Sequence, residues 1–257
     1  MLVVISPAKS LNEEPVGLRS TKPRFGDEAL RLAKRARNMT LKELKSLMSI
    51  SDDLAKLNRD RFRDFKAEPR EGDVKPAALI FAGDTYQGLD AGSLDDAGMD
   101  WAQDHLRILS GLYGLLRPRD GIQPYRLEMG SRLKTRRGKD LYAFWGDEIA
   151  EALNTQAEAL GSDLLLNCAS QEYFGAADRP ALKLRVVTPQ FLEEKDGKRQ
   201  TVSFYAKRAR GAMARFVIDQ RVTTEAGLRD FDSGGYRYDG EASTPEAPVF
   251  VRDYPSA

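Results

Sequence analysis

The chain reads as an α/β protein, a single domain over residues 1–257 with a mixed sheet surrounded by helices, and three observations carry that reading. Three apolar runs of strand length, at residues 2–5, 77–81 and 163–168, each give way to a polar loop. Between and after them lie stretches with apolar residues at helical spacing and recognisable caps. No internal repeat, low-complexity stretch or linker divides the 257 residues, which are enough for one large core.

The elements follow in order. Leu2-Val3-Val4-Ile5 is β-branched and apolar and ends in Ser6-Pro7-Ala8-Lys9, so it reads as a buried strand with a loop at its C-terminal end. Helices are expected over 27–38, 41–50 and 52–65. Thr40 and Glu43 have the spacing of a capping box for the second, Ser51 suits the N-cap of the third, and Leu41, Leu44, Leu47 and Met48 make these packing elements first. Residues 77–81 predict a second strand leading into Gly83-Asp84-Thr85-Tyr86. An amphipathic helix is expected over 99–109, followed by Gly111-Leu112-Tyr113-Gly114 as a glycine hairpin between two helices, with amides free to approach a phosphate. Pro118 arrives only four residues after Gly114, so the second of those helices is short or starts late.

Residues 123–130 lack an amphipathic period and read as extended, which turns Arg126 and Glu128 to one side. A long helix over 141–160, stopped by Gly161, precedes the third strand, which leads into Ala169-Ser170-Gln171-Glu172-Tyr173. A strand over 182–188 and a hairpin of 190–194 with 199–204 around Asp196-Gly197 come next. In the helix expected over 205–218, Ala209, Met213, Phe216 and Val217 share a face, while Lys207, Arg208, Arg210 and Arg215 crowd the early turns. The tail from Phe231 reads as short strands and turns.

Composition removes several classes of function. Forty basic residues against 39 acidic leave a net charge of +1, so any basic surface is local. The single cysteine, Cys168, excludes an internal disulfide and reads as a buried small side chain; the single histidine, His105, reads as a core or hydrogen-bonded group. One of each cannot build a zinc or iron-sulfur site within one chain, so no cofactor is expected and only a carboxylate-rich metal site stays open. No apolar run approaches the roughly 20 residues that span a bilayer, and no leader pattern opens the chain, which makes the cytoplasm the expected compartment and a membrane partner unexpected.

Ligands of open α/β sheets sit beyond the C-terminal strand ends, so Ser6, Lys9, Asp84, Tyr86, Asn167, Ser170 and Glu172 converge if the three strands are parallel neighbours. Lys9 then suits an anion or a base, and Asp84 with Glu172 suits acid-base work or a divalent cation. The competing reading is that Ser6, Asp84 and Asn167 only cap turns and helix starts. Arg126 with Glu128 suits an anion clamp and its orienting carboxylate, against a plain structural ion pair. Arg132, Lys134, Arg136, Arg137 and Lys139 form a basic run that reads as a solvated face unless it borders one groove with the Lys207 helix.

Taken together, Ile5 to Lys9, Gly83 to Leu89, Leu109 to Leu116, Gln123 to Gly130, Phe144-Trp145-Gly146, Asn167 to Tyr173 and Ser203 to Gly211 closely resemble the YaaA peroxide-stress family nearly end to end. The resemblance implies a cytosolic bacterial protein that limits damage when hydrogen peroxide rises and is associated with low free iron. It also implies an α/β fold of unusual topology that binds DNA through a helix-hairpin-helix element beside a positive cleft. The hairpin maps to residues 110–114, including Gly111 and Gly114, and the cleft to Lys9, Arg126, Lys207 and Arg210, with Arg208 on the same basic helix.

Three readings follow. The leading one is a binder of double-stranded or distorted DNA, selective for structure because no base-reading helix is evident. The second is an enzyme acting on a phosphate- or nucleobase-containing small molecule, a small anionic ligand held by Lys9, Asp84, Arg126, Glu128, Asn167, Glu172 and Lys207. The third, direct iron capture by carboxylates, is weakest because histidine ligands are nearly absent.

Overall fold

The strand Leu2–Ile5 (β1) is buried along its whole length, as expected of an apolar run that hydrogen-bonds on both edges and packs on both faces. A computed structural model describes residues 1–255 of the chain, so the last two positions of the tail lie outside the described residues. After β1 come the short strand Ser10–Leu11 (β2) and three helices, Gly26–Arg37 (α1), Leu41–Met48 (α2) and Asp52–Asp64 (α3). The Thr40/Glu43 capping box and the Ser51 cap are both formed. Lys75–Pro76 (β3), Ala77–Ile80 (α4), Phe81–Ala82 (β4), Asp84–Leu89 (α5) and Asp96–His105 (α6) lead to Leu106–Ser110 (β5), Gly114–Leu116 (β6) and Gly121–Ile122 (β7). Leu141–Trp145 (α7), Glu148–Ala159 (α8), Leu164–Cys168 (β8), Gln171–Phe174 (α9) and Arg185–Val187 (β9) follow. Gln190–Lys195 (β10), Lys198–Gln200 (β11), Ser203–Asp219 (α10), Arg237–Asp239 (β12) and Val249–Asp253 (β13) complete the fold.

The main sheet is mixed and five-stranded, in the order β6-β5-β1-β8-β9. β1 runs parallel to β5 and β8, β8 parallel to β9, and only β6 is antiparallel. A second sheet, β11-β10-β13-β12, carries its own aromatic packing of Phe191 and Phe231 around Phe250, at ring separations of 5.6 and 5.4 Å. One hydrophobic core nevertheless runs from Met1 to Phe250. No helix among the described residues is long and apolar enough to cross a membrane.

Several elements differ from the sequence reading, each for a physical reason. Residues 77–81 are not a strand of the main sheet: 77–80 form the single turn α4, and Phe81 opens β4, which pairs with β2. A short apolar run does not by itself distinguish a buried helical turn from a strand, and here Ala77 and Ala78 donate their amides to the Asp120 and Pro118 carbonyls. The helix expected over 99–109 ends at His105, because Leu106–Ser110 finds a ladder against β1. The helix expected over 141–160 breaks at Gly146, whose φ of 51° separates α7 from α8. The hairpin around Asp196 and Gly197 forms, with φ of 51° and 71°, but its second strand, expected over 199–204, ends at Gln200 because Ser203 and Phe204 already belong to the helix. α10 begins at Ser203, two residues earlier than its apolar face suggests.

The helix-hairpin-helix is the largest correction. Residues 106–116 are a β-hairpin, with Ile108 opposite Leu116 and Ser110 opposite Gly114. Its turn points into the protein: Gly111 and Gly114 are buried, the Gly111 carbonyl accepts the Trp145 indole N–H at 3.1 Å, and the Tyr113 amide donates to Ser110 Oγ at 2.8 Å. A Cβ on Gly111 would lie 2.3 Å from the Leu127 carbonyl oxygen, and one on Gly114, where φ is 67°, would lie 2.7 Å from the Trp145 ring. These glycines are small because the interior is full, and their backbone is committed to internal partners. Gly114→Val is therefore expected to destabilise the fold by about 3 kcal/mol or more, combining backbone strain with overpacking. Chemical denaturation measures this, and a variant as stable as the parent would show the turn to be open.

Candidate functional site

The parallel pairing of β1 with β8 sets Ile5 beside Cys168, so the loops after both strands leave the sheet together. Ser6 and Ser170 tie them: the Ser170 amide donates to Ser6 Oγ at 2.9 Å, while Ser170 Oγ caps α9. Glu172, in the first turn of α9, accepts the Gly130 amide on Oε1 at 2.9 Å. Asp84 reaches the same place by a different route. The antiparallel ribbon of β2 with β4 sets Ser10 opposite Ala82 and delivers Gly83, at φ 143°, to the start of α5.

α10 closes the site. It meets α5 at two glycines that leave no room for side chains: a Cβ on Gly88 would lie 2.0 Å from the Arg208 carbonyl oxygen, and one on Gly211 would lie 1.8 Å from the Thr85 carbonyl oxygen. Backbone therefore rests on backbone, and the face of α10 bearing Lys207 and Arg210 is held across from Asp84 and Thr85. The N-terminus of α10 is fixed separately, where the fully buried Glu193 carboxylate accepts the Val202 amide at 3.0 Å and also holds Tyr236 and Arg252.

The result is a cleft of about 460 Å³ in which Lys9, Lys207 and Arg210 share the walls with Asp84, Glu128 and Glu172. Lys9 Nζ stands 3.5 Å from Glu128 Oε1, and the Arg126 guanidinium binds the same oxygen at 3.0 Å from behind. The Lys9 side chain is 68% exposed, so its pairing with Glu128 is weak and solvent-screened. Lys207, Arg208 and Arg210 have no carboxylate partner among the described residues; Arg215, further along α10, pairs with Asp219 and donates to the Asp90 carbonyl, joining the helix to the loop after α5. Among the described residues no group of three His, Cys, Asp or Glu side chains is arranged to hold a metal ion.

Of the residues expected to converge, Ser6, Lys9, Asp84, Ser170, Glu172, Lys207 and Arg210 line the cleft. Asn167 and Tyr86 do not: Asn167 holds the Ala169 amide and Thr188, and the Tyr86 hydroxyl donates to the Ser6 carbonyl from inside the core. Arg126 acts through Glu128, and Arg208 lies outside the lining on the exposed surface of α10. The basic run at 132–139 contributes nothing to this cavity; Arg136 and Arg137 border a separate one of about 440 Å³ with Arg31 and Arg35. Gly88 and Gly211 are the residues the sequence reading overlooked as builders of the site. A glycine inside a helical pattern signals close packing, and both stood in plain view.

Cys168 forms part of the floor, and burial pushes its thiol up to about 12 although Arg210 pulls the other way. Burial likewise raises the Tyr173 phenol, keeping it neutral. His105 is removed from the cleft, stacked on Trp101 at 3.8 Å with Nδ1 2.9 Å from the Met1 carbonyl oxygen; burial lowers its pKa.

Residues 1–242 match the family model described as peroxide stress protein YaaA. The chain is 62% identical over 254 residues to a UPF0246 protein of Ruegeria pomeroyi, covering 99% of each. It is also 62% identical to a UPF0246 protein of Roseobacter denitrificans over the full length of both, and 59% identical to one of Dinoroseobacter shibae, covering 100% of this chain and 97% of that one.

Gly211→Ala and Gly88→Ala are each expected to cost about 2 kcal/mol or more, because the obstacle is backbone that does not yield. Gly92→Ala, with nothing within 4 Å, is the control and should fall within about 0.5 kcal/mol of the parent. Denaturation midpoints decide, and equal stability of all three variants would disprove the contact. Cys168 should react with a thiol reagent at pH 8 far more slowly in the folded protein than in denaturant; equal rates would show that the thiol is neither buried nor raised.

Proposed function

This chain belongs to the family described as peroxide stress protein YaaA, and on that premise we propose that it serves the response to peroxide in the cytoplasm by holding nucleic-acid phosphate in the cleft at the ends of β1 and β8. The observation that supports this is the meeting of Lys9, Lys207 and Arg210 in one cavity, in a chain whose net charge is only +1. Cations concentrated in one place, with the two on α10 lacking an acidic partner among the described residues, favour an anionic ligand and release its counterions on binding. Arg208, exposed on the same helix outside the cleft, would reach the phosphates that flank it. The glycine turn at 111–114 takes no part, being buried. Contact with double-stranded or distorted DNA would then limit iron-dependent damage by covering the target.

A second reading is supported by the carboxylates. Asp84, Glu128 and Glu172 stand in the same cavity, and Glu128 Oε2 is buried without a hydrogen-bond partner among the described residues. An uncommitted carboxylate oxygen beside cations suits a general base in an enzyme that acts on a phosphate- or nucleobase-containing small molecule. A volume of about 460 Å³ is also that of a small-ligand site.

Binding of labelled DNA across a series of salt concentrations is expected to weaken linearly in log-log form, with a slope near one per phosphate neutralised. Lys207→Glu with Arg210→Glu should weaken it about a hundredfold at low salt, while Glu172→Ala leaves affinity equal or slightly tighter. Absence of binding at low salt, or binding indifferent to salt, removes the DNA reading. Loss of peroxide protection in Lys9→Ala and Glu172→Ala with DNA affinity intact transfers the function to the enzyme.

A further inference from the structure

Phe204, in the first turn of α10, is 48% exposed, more than Val16, Leu54, Leu57 or Tyr254, the other large apolar side chains left in water. Helical spacing places it on one face with Lys207 and Arg208, three and four residues later, about 4.5 and 6 Å along the axis. Lys207 also lines the cleft, so the helix face that carries Phe204 adjoins one of its walls. Its ring is steadied from the protein side by Tyr205, which packs against it edge to face at 5.4 Å and is itself covered by the Arg252 guanidinium at 4.4 Å.

A steadied aromatic surface in water, beside two cations that have no carboxylate partner among the described residues, matches a ligand that is both planar and anionic. We propose that a single unpaired nucleotide docks on this face of α10, at the edge of the cleft, its base stacked on Phe204 while its phosphate is held by Lys207 and Arg208. The proposal rests on the reading of the cleft as a phosphate site and adds what is attached to the phosphate. A phenyl face stacks on any base, so little sequence preference is expected. The same chemistry is offered by a free nucleotide and by an unpaired position in a strand.

The test compares three probes on the full chain: inorganic pyrophosphate, a deoxynucleoside monophosphate, and a single-stranded oligonucleotide with or without its bases. Phe204→Ala should weaken the oligonucleotide about tenfold, with a much smaller effect on pyrophosphate and on the abasic strand, and Phe204→Tyr should restore it. Lys207→Ala should weaken all of them. If the mononucleotide shows the same dependence on Phe204, the ligand is a free nucleotide; if only the oligonucleotide does, it is a strand. The proposal fails if Phe204→Ala leaves the oligonucleotide unchanged, if it weakens the base-free probes equally, or if it abolishes self-association while oligonucleotide affinity stays intact. A parent protein that binds neither pyrophosphate nor DNA overturns the phosphate reading itself. Melting temperatures of the variants confirm that each is folded.

Discussion

The backbone contact between α5 and α10 is the constraint on which the site depends. Gly88 and Gly211 let two helices approach until the carbonyl of one meets the α-carbon of the other, a separation that even alanine forbids. Without that approach, the wall carrying Lys207 and Arg210 would stand away from the wall carrying Asp84 and Thr85. The rest of α10 is anchored to suit: Glu193 receives the Val202 amide at the helix start, and Arg215 ties its later turns to the Asp90 carbonyl. A helix held at its start and in its later turns fixes the backbone from which Lys207, Arg208 and Arg210 project.

Burial decides which of the many charges are available. Two arginines around the cleft are committed, Arg126 to Glu128 and Arg215, further along α10, to Asp219. Those of α10 that have no acidic partner among the described residues are Lys207, Arg208 and Arg210, and two of them face the cavity. A nearly neutral chain thus gathers three cations in one cleft, facing Asp84, Glu128 and Glu172, without an excess of basic residues overall. The same accounting separates the basic run at 132–139 from the cleft, since Arg136 and Arg137 belong to another cavity.

The turn at 111–114 shows how a motif and its environment can part. Glycines spaced to expose amides are also glycines spaced to fit beneath a tryptophan, and Trp145 occupies that space. Ser110, Tyr113 and Tyr125 close the network inside the protein, where burial raises both phenols and keeps them neutral. The segment therefore belongs to the core, with its turn packed away from solvent.

Sequence alone determined what is local. The Thr40/Glu43 box, the Ser51 cap, the Asp196-Gly197 turn, the apolar face of α10 and the burial of β1 and β8 follow from spacing and residue type, because their partners lie within a few residues or because a wholly apolar strand has only one stable place. Local spacing also identified most of the cleft, since Ser6, Lys9, Ser170 and Glu172 all follow strand ends. Only the tertiary structure decided what depends on distant pairing. Residues 106–110 became a strand because β1 offered them a ladder, 77–80 became a helical turn because Asp120 and Pro118 took their amides, and Asp84 joined the cleft through β4 rather than through a parallel neighbour. Gly88 and Gly211 lie more than 120 positions apart by their own numbering, so the contact that shapes the site exists only where the chain has folded back on itself.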